Sequence, residues 1–182
     1  MNADEIRDWS DCYDEHYPER LQSIEVEIRS ELREQGYLNS DQLEKVIRWK
    51  LDGQGGRGDR FIDAMRSSPE GFVEKVTGAA LLVNDPQVQV DTIASIPGVG
   101  TATATVVLMF YDPEEYAVGD RYLKHEFLDK DRSMRVTDYP KILHELRDRN
   151  PGDFNLRTVE KAYWMRYTVE NDVGDWGNQQ TT

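Results

Sequence analysis

The sequence predicts an all-α protein, and three observations predict it. Apolar residues recur three and four apart along most of the chain, the period of a helix with one buried face. No segment alternates apolar and polar residues as a half-buried strand would. Proline, glycine and Asx or Ser signals fall at the ends of the periodic segments and rarely inside them.

The elements follow in order. Leu21, Ile24, Ile28 and Leu32 define one helical face, and Gly36 ends it. A second helix starts after Asn39-Ser40, with Leu43, Val46, Ile47 and Leu51 on its apolar arc. Gly53-Gln54-Gly55-Gly56-Arg57-Gly58 is too glycine-rich for helix and reads as a loop. Phe61, Ile62 and Met65 begin a short helix. Ser68-Pro69-Glu70 reads as a cap with a first-turn proline, opening a helix with Phe72, Val73, Val76 and Ala80 inward. Asp85-Pro86 repeats the signal for a helix reaching Ile96. Thr101 to Tyr111 is apolar nearly all round, so it is the expected central helix. Further helices begin near Asp120 and span about 138–149 and 155–171. One folded unit over residues 1–171 is expected, with 172–182 as a flexible tail.

With 182 residues the chain is long enough for one well-filled core. It contains no apolar run of membrane-spanning length and only one cysteine, Cys12, so neither an internal disulfide nor a multi-cysteine metal or cluster site is expected. The acidic start, Met-Asn-Ala-Asp-Glu, lacks a signal-peptide pattern. A soluble, cytoplasmic monomer without a cofactor is the expectation. Charge is the awkward fact: 22 Lys+Arg against 35 Asp+Glu give a formal net charge of -13, whereas nucleic-acid binders are normally basic. Asp is abundant, and Arg outnumbers Lys about two to one. That bias resembles proteins of salt-accumulating halophiles. At molar salt the Debye length is roughly 3 Å, so long-range repulsion between an acidic protein and DNA is nearly screened out.

The most informative segment is 88–111: a helix, then Ile96-Pro97-Gly98-Val99-Gly100, then a helix opening Thr101-Ala102-Thr103-Ala104-Thr105. Pro97 stops the first helix, and the two glycines are expected to take unusual φ angles and clear side chains from the hairpin's outer face. Backbone N–H groups leading into a helix N-terminus would remain, an anion site suited to a DNA phosphate. Pro97, Gly98, Val99, Gly100, Thr101 and Thr103 are therefore the expected backbone-binding residues. Such contacts position a protein without reading sequence.

The hairpin, followed by Asp112-Pro113 and Tyr116-Ala117-Val118-Gly119-Asp120, resembles the helix-hairpin-helix DNA glycosylase superfamily, the endonuclease III-like and adenine glycosylase-like enzymes. The resemblance covers about 88–125, and the spacing from hairpin to Asp120 matches the family's spacing to its catalytic Asp without a gap. It implies a glycosylase-like multi-helix fold around a central hairpin, and double-stranded DNA as partner. A monovalent cation at the hairpin is the one ion it leaves open; no other metal is expected.

Three departures matter. The lysine that bifunctional members carry just after the hairpin is Ala102 here, so no amine there can form a Schiff base. The four cysteines of an iron–sulfur loop are missing, and the family's Val-Asp-Thr/Ser-His reads Gly119-Asp120-Arg121-Tyr122. The chain thus resembles a glycosylase-like branch of unassigned activity that lacks both the lysine and the cluster. What the resemblance implies is a monofunctional DNA glycosylase, with no lyase activity, that hydrolyses the N-glycosidic bond of a damaged or mispaired base. An ionised Asp120 would stabilise the sugar cation. An aspartate at a helix start is also an ordinary N-cap. The alternative is a catalytically silent DNA-binding module in a repair, recombination or defence assembly, with Arg121 neutralising Asp120. A third possibility is a protein-interaction domain whose hairpin only packs helices.

Further candidates lie upstream. Lys50 falls inside the apolar arc of its helix, so it either snorkels past the core or points into a cleft. Trp49, with Arg57 and Arg60 across the glycine-rich loop, forms a candidate DNA-facing patch, or else a core-edge tryptophan beside solvated arginines. His16, His125 and His144 show no shared-metal spacing. Tyr163, Trp164 and Tyr167 read as core packing.

Overall fold

The computed structural model describes residues 1–54, 56–129, 132–152 and 154–173. Gly55 of the glycine-rich loop and residues 174–182 of the expected tail lie outside the described residues. Among them the chain is all helical: α1 (Ala3–His16), α2 (Glu19–Gln35), α3 (Ser40–Lys50), α4 (Arg57–Arg66), α5 (Phe72–Leu81), α6 (Pro86–Ala94), α7 (Thr101–Tyr111), α8 (Arg121–Leu128), a 3₁₀ turn (Val136–Asp138), α9 (Tyr139–Asp148) and α10 (Leu156–Glu170). No described helix is long and apolar enough to cross a membrane.

The predicted boundaries rest on recognisable caps. Asn39 accepts from the Gln42 amide at 2.9 Å in a capping box, Asp85 accepts from Gln87 and Val88 ahead of Pro86, and Asn155 accepts from Thr158. Gly36 closes α2 in the left-handed conformation, φ 74°. The glycine-rich loop is shorter than expected, because α4 already takes in Arg57 and Gly58. Residues 68–70 do not open a helix: Phe72 N donates to the Pro69 carbonyl in a turn, and α5 starts after Gly71, φ 71°. Helix α1 is not anticipated by apolar periodicity, because it buries only Ile6, Ser10 and Tyr13. Its signal is the Asn2–Glu5 capping box, whose two halves close at 3.0 and 2.7 Å.

Helix α7 holds the centre, as its composition demands. Residues Thr103 to Phe110 are all buried, packed among α2, α3 and α6. Helix α1 lies along α10, and α8 packs on α9 and α10. One ion cluster ties the first half to the last. The Arg157 guanidinium on α10 donates to Glu25 on α2 at 3.1 Å and to the Tyr13 hydroxyl on α1 at 3.1 Å, and pairs with Glu160. It also stacks 5.5 Å from the Trp49 ring. Burial raises the Glu160 carboxyl, and the nearby Asp120 charge adds to the rise. Burial would also raise Glu25, but Arg157, Lys161 and Arg29 outweigh it and hold that carboxyl below its usual value.

Candidate functional site

The α6–α7 turn sits differently from expectation. Only Gly98 has positive φ, 81°; Gly100 is extended, φ -87°. Gly98 does not open the outer face but lets the turn press onto α4. A Cβ there would overlap the Phe61 carbonyl oxygen and come within 3.2 Å of the Met65 nitrogen. The Val99 side chain is buried and its N–H is spent on the Ile96 carbonyl at 3.0 Å. Thr103 is buried too. Thr101 is half-buried, and Pro97 and Gly100 are exposed. The open surface of the turn is therefore Pro97, Gly100 and the N-terminal end of α7, which no side chain caps.

Two expected residues lie on the helix that the turn touches. Arg57 and Arg60 are exposed on the opening turns of α4, just ahead of Phe61. The Arg57 guanidinium lies 5.8 Å from the Phe61 ring centre and donates to Gln54 at 3.2 Å. Trp49 is not part of any surface patch. It is 5% exposed, edge-on to Phe110 at 5.2 Å, because it occupies the inner face of α3.

From the turn, α7 leads to Asp120. Thr105 on α7 accepts from the Gly119 amide at 2.9 Å, and the buried Tyr139 hydroxyl donates to the Ala117 carbonyl at 2.9 Å. Gly119 has room for no side chain, since a Cβ would meet Met134 and Tyr139. These contacts fix the 112–120 connection and deliver Asp120 to the N-cap of α8. There Oδ1 accepts from the Tyr122 and Leu123 amides at 2.9 and 3.0 Å.

The other carboxylate oxygen is used quite differently. Oδ2 accepts from the Trp164 indole Nε1 at 2.9 Å, and the Lys50 ammonium stands 3.9 Å from it. Lys50 thus points into the site and does not snorkel away, with its side chain 17% exposed and that of Asp120 11%. Arg121 makes no direct ion pair with Asp120, although it feels that charge. Its guanidinium donates to the Tyr122 hydroxyl at 2.6 Å and covers that ring at 4.7 Å.

Sequence reading missed Trp164, which it placed in core packing. Tyr163 is buried, but Trp164 and Tyr167, three apart on α10, are only half-buried and face α8. No local spacing separates them from Tyr163, which stands four residues before Tyr167 on the same side of the helix.

A cavity of about 360 Å³ opens elsewhere, between α1, α2 and the start of α10. Asp120 is not on its wall, and its cations Arg29, Arg157 and Lys161 are already paired with Glu25, Glu160 and Asp14. The Asp120 site is the stronger candidate because it joins a buried acid, a cation and an indole donor. Neither a protein-family model, nor a curated protein, nor a solved structure matches this chain.

The electrostatics of the arginines separate them into two groups. Arg20, Arg48, Arg66, Arg147 and Arg149 each hold a carboxylate at 2.5–3.2 Å. Among the described residues Arg57, Arg60 and Arg121 make no such pair, although the Asp120 charge reaches Arg121.

Proposed function

We propose that the protein binds double-stranded DNA through a helix-hairpin-helix formed by α6, the 95–100 turn and α7, and acts as a monofunctional DNA glycosylase centred on Asp120. The observation that carries the reading is the pairing of Asp120 with Lys50. Heterolysis of an N-glycosidic bond leaves a cationic sugar and an anionic base. A carboxylate beside an ammonium at 3.9 Å complements both fragments. Oδ1 is committed to the helix, so Oδ2 is the oxygen that faces the sugar C1′. Lys50 stabilises the departing base. A water adds its oxygen to C1′ and its proton ends on the base nitrogen, leaving an abasic site and an uncut strand. With Ala102 at the hairpin position, no amine is supplied from there.

DNA binding draws on the α7 N-terminus, the exposed Pro97 and Gly100, and Arg57, Arg60 and Arg121, which make no ion pair among the described residues. One observation favours the alternative, a silent binding module: Asp120 is 8% exposed and caps α8 as any N-cap would.

The deciding experiment is single-turnover cleavage of duplexes bearing uracil, hypoxanthine, alkylated or oxidised purines, or mismatched adenine, in molar potassium chloride, with alkali revealing abasic sites. Alkali-dependent cleavage of one member is expected, reduced about 10²–10³-fold in Asp120→Asn and measurably in Lys50→Met. An intact panel with undiminished duplex binding would leave the binding module.

A further inference from the structure

The cavity of about 360 Å³ between α1, α2 and the start of α10 is separate from the Asp120 site, whose acid is not on its wall. Its volume falls at the lower end of the range for small-molecule pockets, about 300–1,000 Å³. Three cations line it, Arg29 from α2 with Arg157 and Lys161 from α10, against two acids, Asp14 and Glu25. Pairing within the fold does not exhaust the donors of those cations, since a guanidinium and an ammonium each carry several N–H groups. Lys161 makes one hydrogen bond, to Asp14 at 2.7 Å. Arg29 donates to Glu25 at 2.9 Å, while its Nε is buried without an acceptor. Acceptors are the scarce partner here. The buried Glu25 already takes Arg29 on one oxygen and Arg157 on both, and the Tyr13 hydroxyl is taken by Arg157 at 3.1 Å.

We propose that this cavity binds a compact organic oxyanion, a small molecule carrying a carboxylate or phosphate group, through Arg29 and Lys161, with the buried Arg157 adding its charge. An oxyanion supplies what the wall lacks, acceptor lone pairs, and a guanidinium fits a carboxylate and a phosphate alike. The two wall acids do not repel such a ligand unopposed, because Arg157 and Arg29 hold Glu25 and Lys161 holds Asp14. The near-parallel rings of Tyr13 and Tyr17, 4.6 Å apart, give the body of the ligand an aromatic wall. Charge in a partly buried site is screened little by salt, so the site holds its ligand at molar potassium chloride as well. None of this depends on the DNA reading above.

Isothermal titration calorimetry of the full chain in molar potassium chloride tests the site, with potassium phosphate and potassium succinate as probes. Saturable one-to-one binding of at least one probe is expected, and which one binds tells a phosphate from a carboxylate ligand. Arg29→Gln and Lys161→Gln should each weaken it about tenfold, as the loss of a charge-assisted hydrogen bond would. Val26 stands on the wall yet is 66% exposed, so Val26→Trp should weaken binding about as much by filling the cavity while every charge stays in place. Arg66→Gln, on α4 and off the cavity wall, should leave the affinity unchanged. Where circular dichroism shows a charge variant unfolded, Val26→Trp carries the comparison. No saturable binding of either probe, or binding that the wall variants keep in full, overturns the site and leaves the DNA reading standing. A native protein that binds a probe but no duplex keeps the site and loses the DNA reading.

Discussion

Lys50 closes α3 and Asp120 opens α8, yet the ammonium of one stands 3.9 Å from Oδ2 of the other. The separation is an ion-pair distance without a direct hydrogen bond, whereas Trp164 does make one to the same oxygen, at 2.9 Å. Asp120 therefore serves two purposes that mutation can separate. Asparagine caps a helix about as well as aspartate, so Asp120→Asn should lose only about 1 kcal/mol of unfolding free energy. Alanine removes the cap and strands the Trp164 N–H, so Asp120→Ala should lose about 2–3 kcal/mol. Urea unfolding checks both, and activity lost in Asp120→Asn with its fold intact is then a chemical effect.

The two hairpin glycines should respond oppositely. Gly98 combines φ 81° with backbone contact to α4, so Gly98→Ala should destabilise by about 2–5 kcal/mol. Gly100 has open space and an ordinary φ of -87°, so Gly100→Ala should cost about 1 kcal/mol or less. Thermal or urea melts distinguish them. It follows that only Gly100 substitutions report on DNA contact, since losing Gly98 disturbs the packing of α4 itself.

Arg57, Arg60 and Arg121 make no direct ion pair with a described carboxylate. Each Arg→Gln change that removes one phosphate contact should lower the slope of log K against log salt by about 0.9. The paired Arg48 and Arg66 serve as controls, whose replacement should leave the slope unchanged. Anisotropy titrations at several salt concentrations measure this.

Arg157 holds two carboxylates, Glu25 and Glu160, inside the fold. Arg157→Met leaves both without their cation and should destabilise by about 3–5 kcal/mol. The pH dependence has two opposed parts in the native protein. The Glu25 carboxyl is lowered in the fold, so its contribution is complete above its unfolded value and is lost as pH falls through the folded one. The Glu160 carboxyl is raised, so its contribution is complete below its unfolded value and is lost as pH rises through the folded one. Without Arg157 both carboxyls are raised, so the variant should be relatively more stable in acid than at neutral pH. Unfolding curves across the acid-to-neutral range test the sign.

Excess carboxylates repel one another over the whole surface of a chain with 35 acidic and 22 basic residues. The melting temperature should therefore rise between about 0.1 M and about 3 M potassium chloride. Differential scanning calorimetry settles it. A fall would show that screening of the surface ion pairs outweighs relief of the net charge.

What the sequence by itself determined are the features set by neighbours along the chain. Asn39, Asp85 and Asn155 cap helices because a side-chain oxygen reaches an amide two or three residues ahead, and Gly36 ends α2 because it tolerates positive φ. The apolar surface of Thr101 to Tyr111 likewise required burial wherever α7 came to lie. Tertiary structure alone decided the rest. It turned Trp49 inward and Lys50 toward Asp120, although they are adjacent in sequence, because successive helical residues project about 100° apart and only the surrounding helices say what each direction meets. It pressed Gly98 onto Phe61 and brought Trp164 from α10 to the acid at the head of α8. Those contacts join segments far apart in the chain, and their geometry follows from packing, which no local pattern encodes.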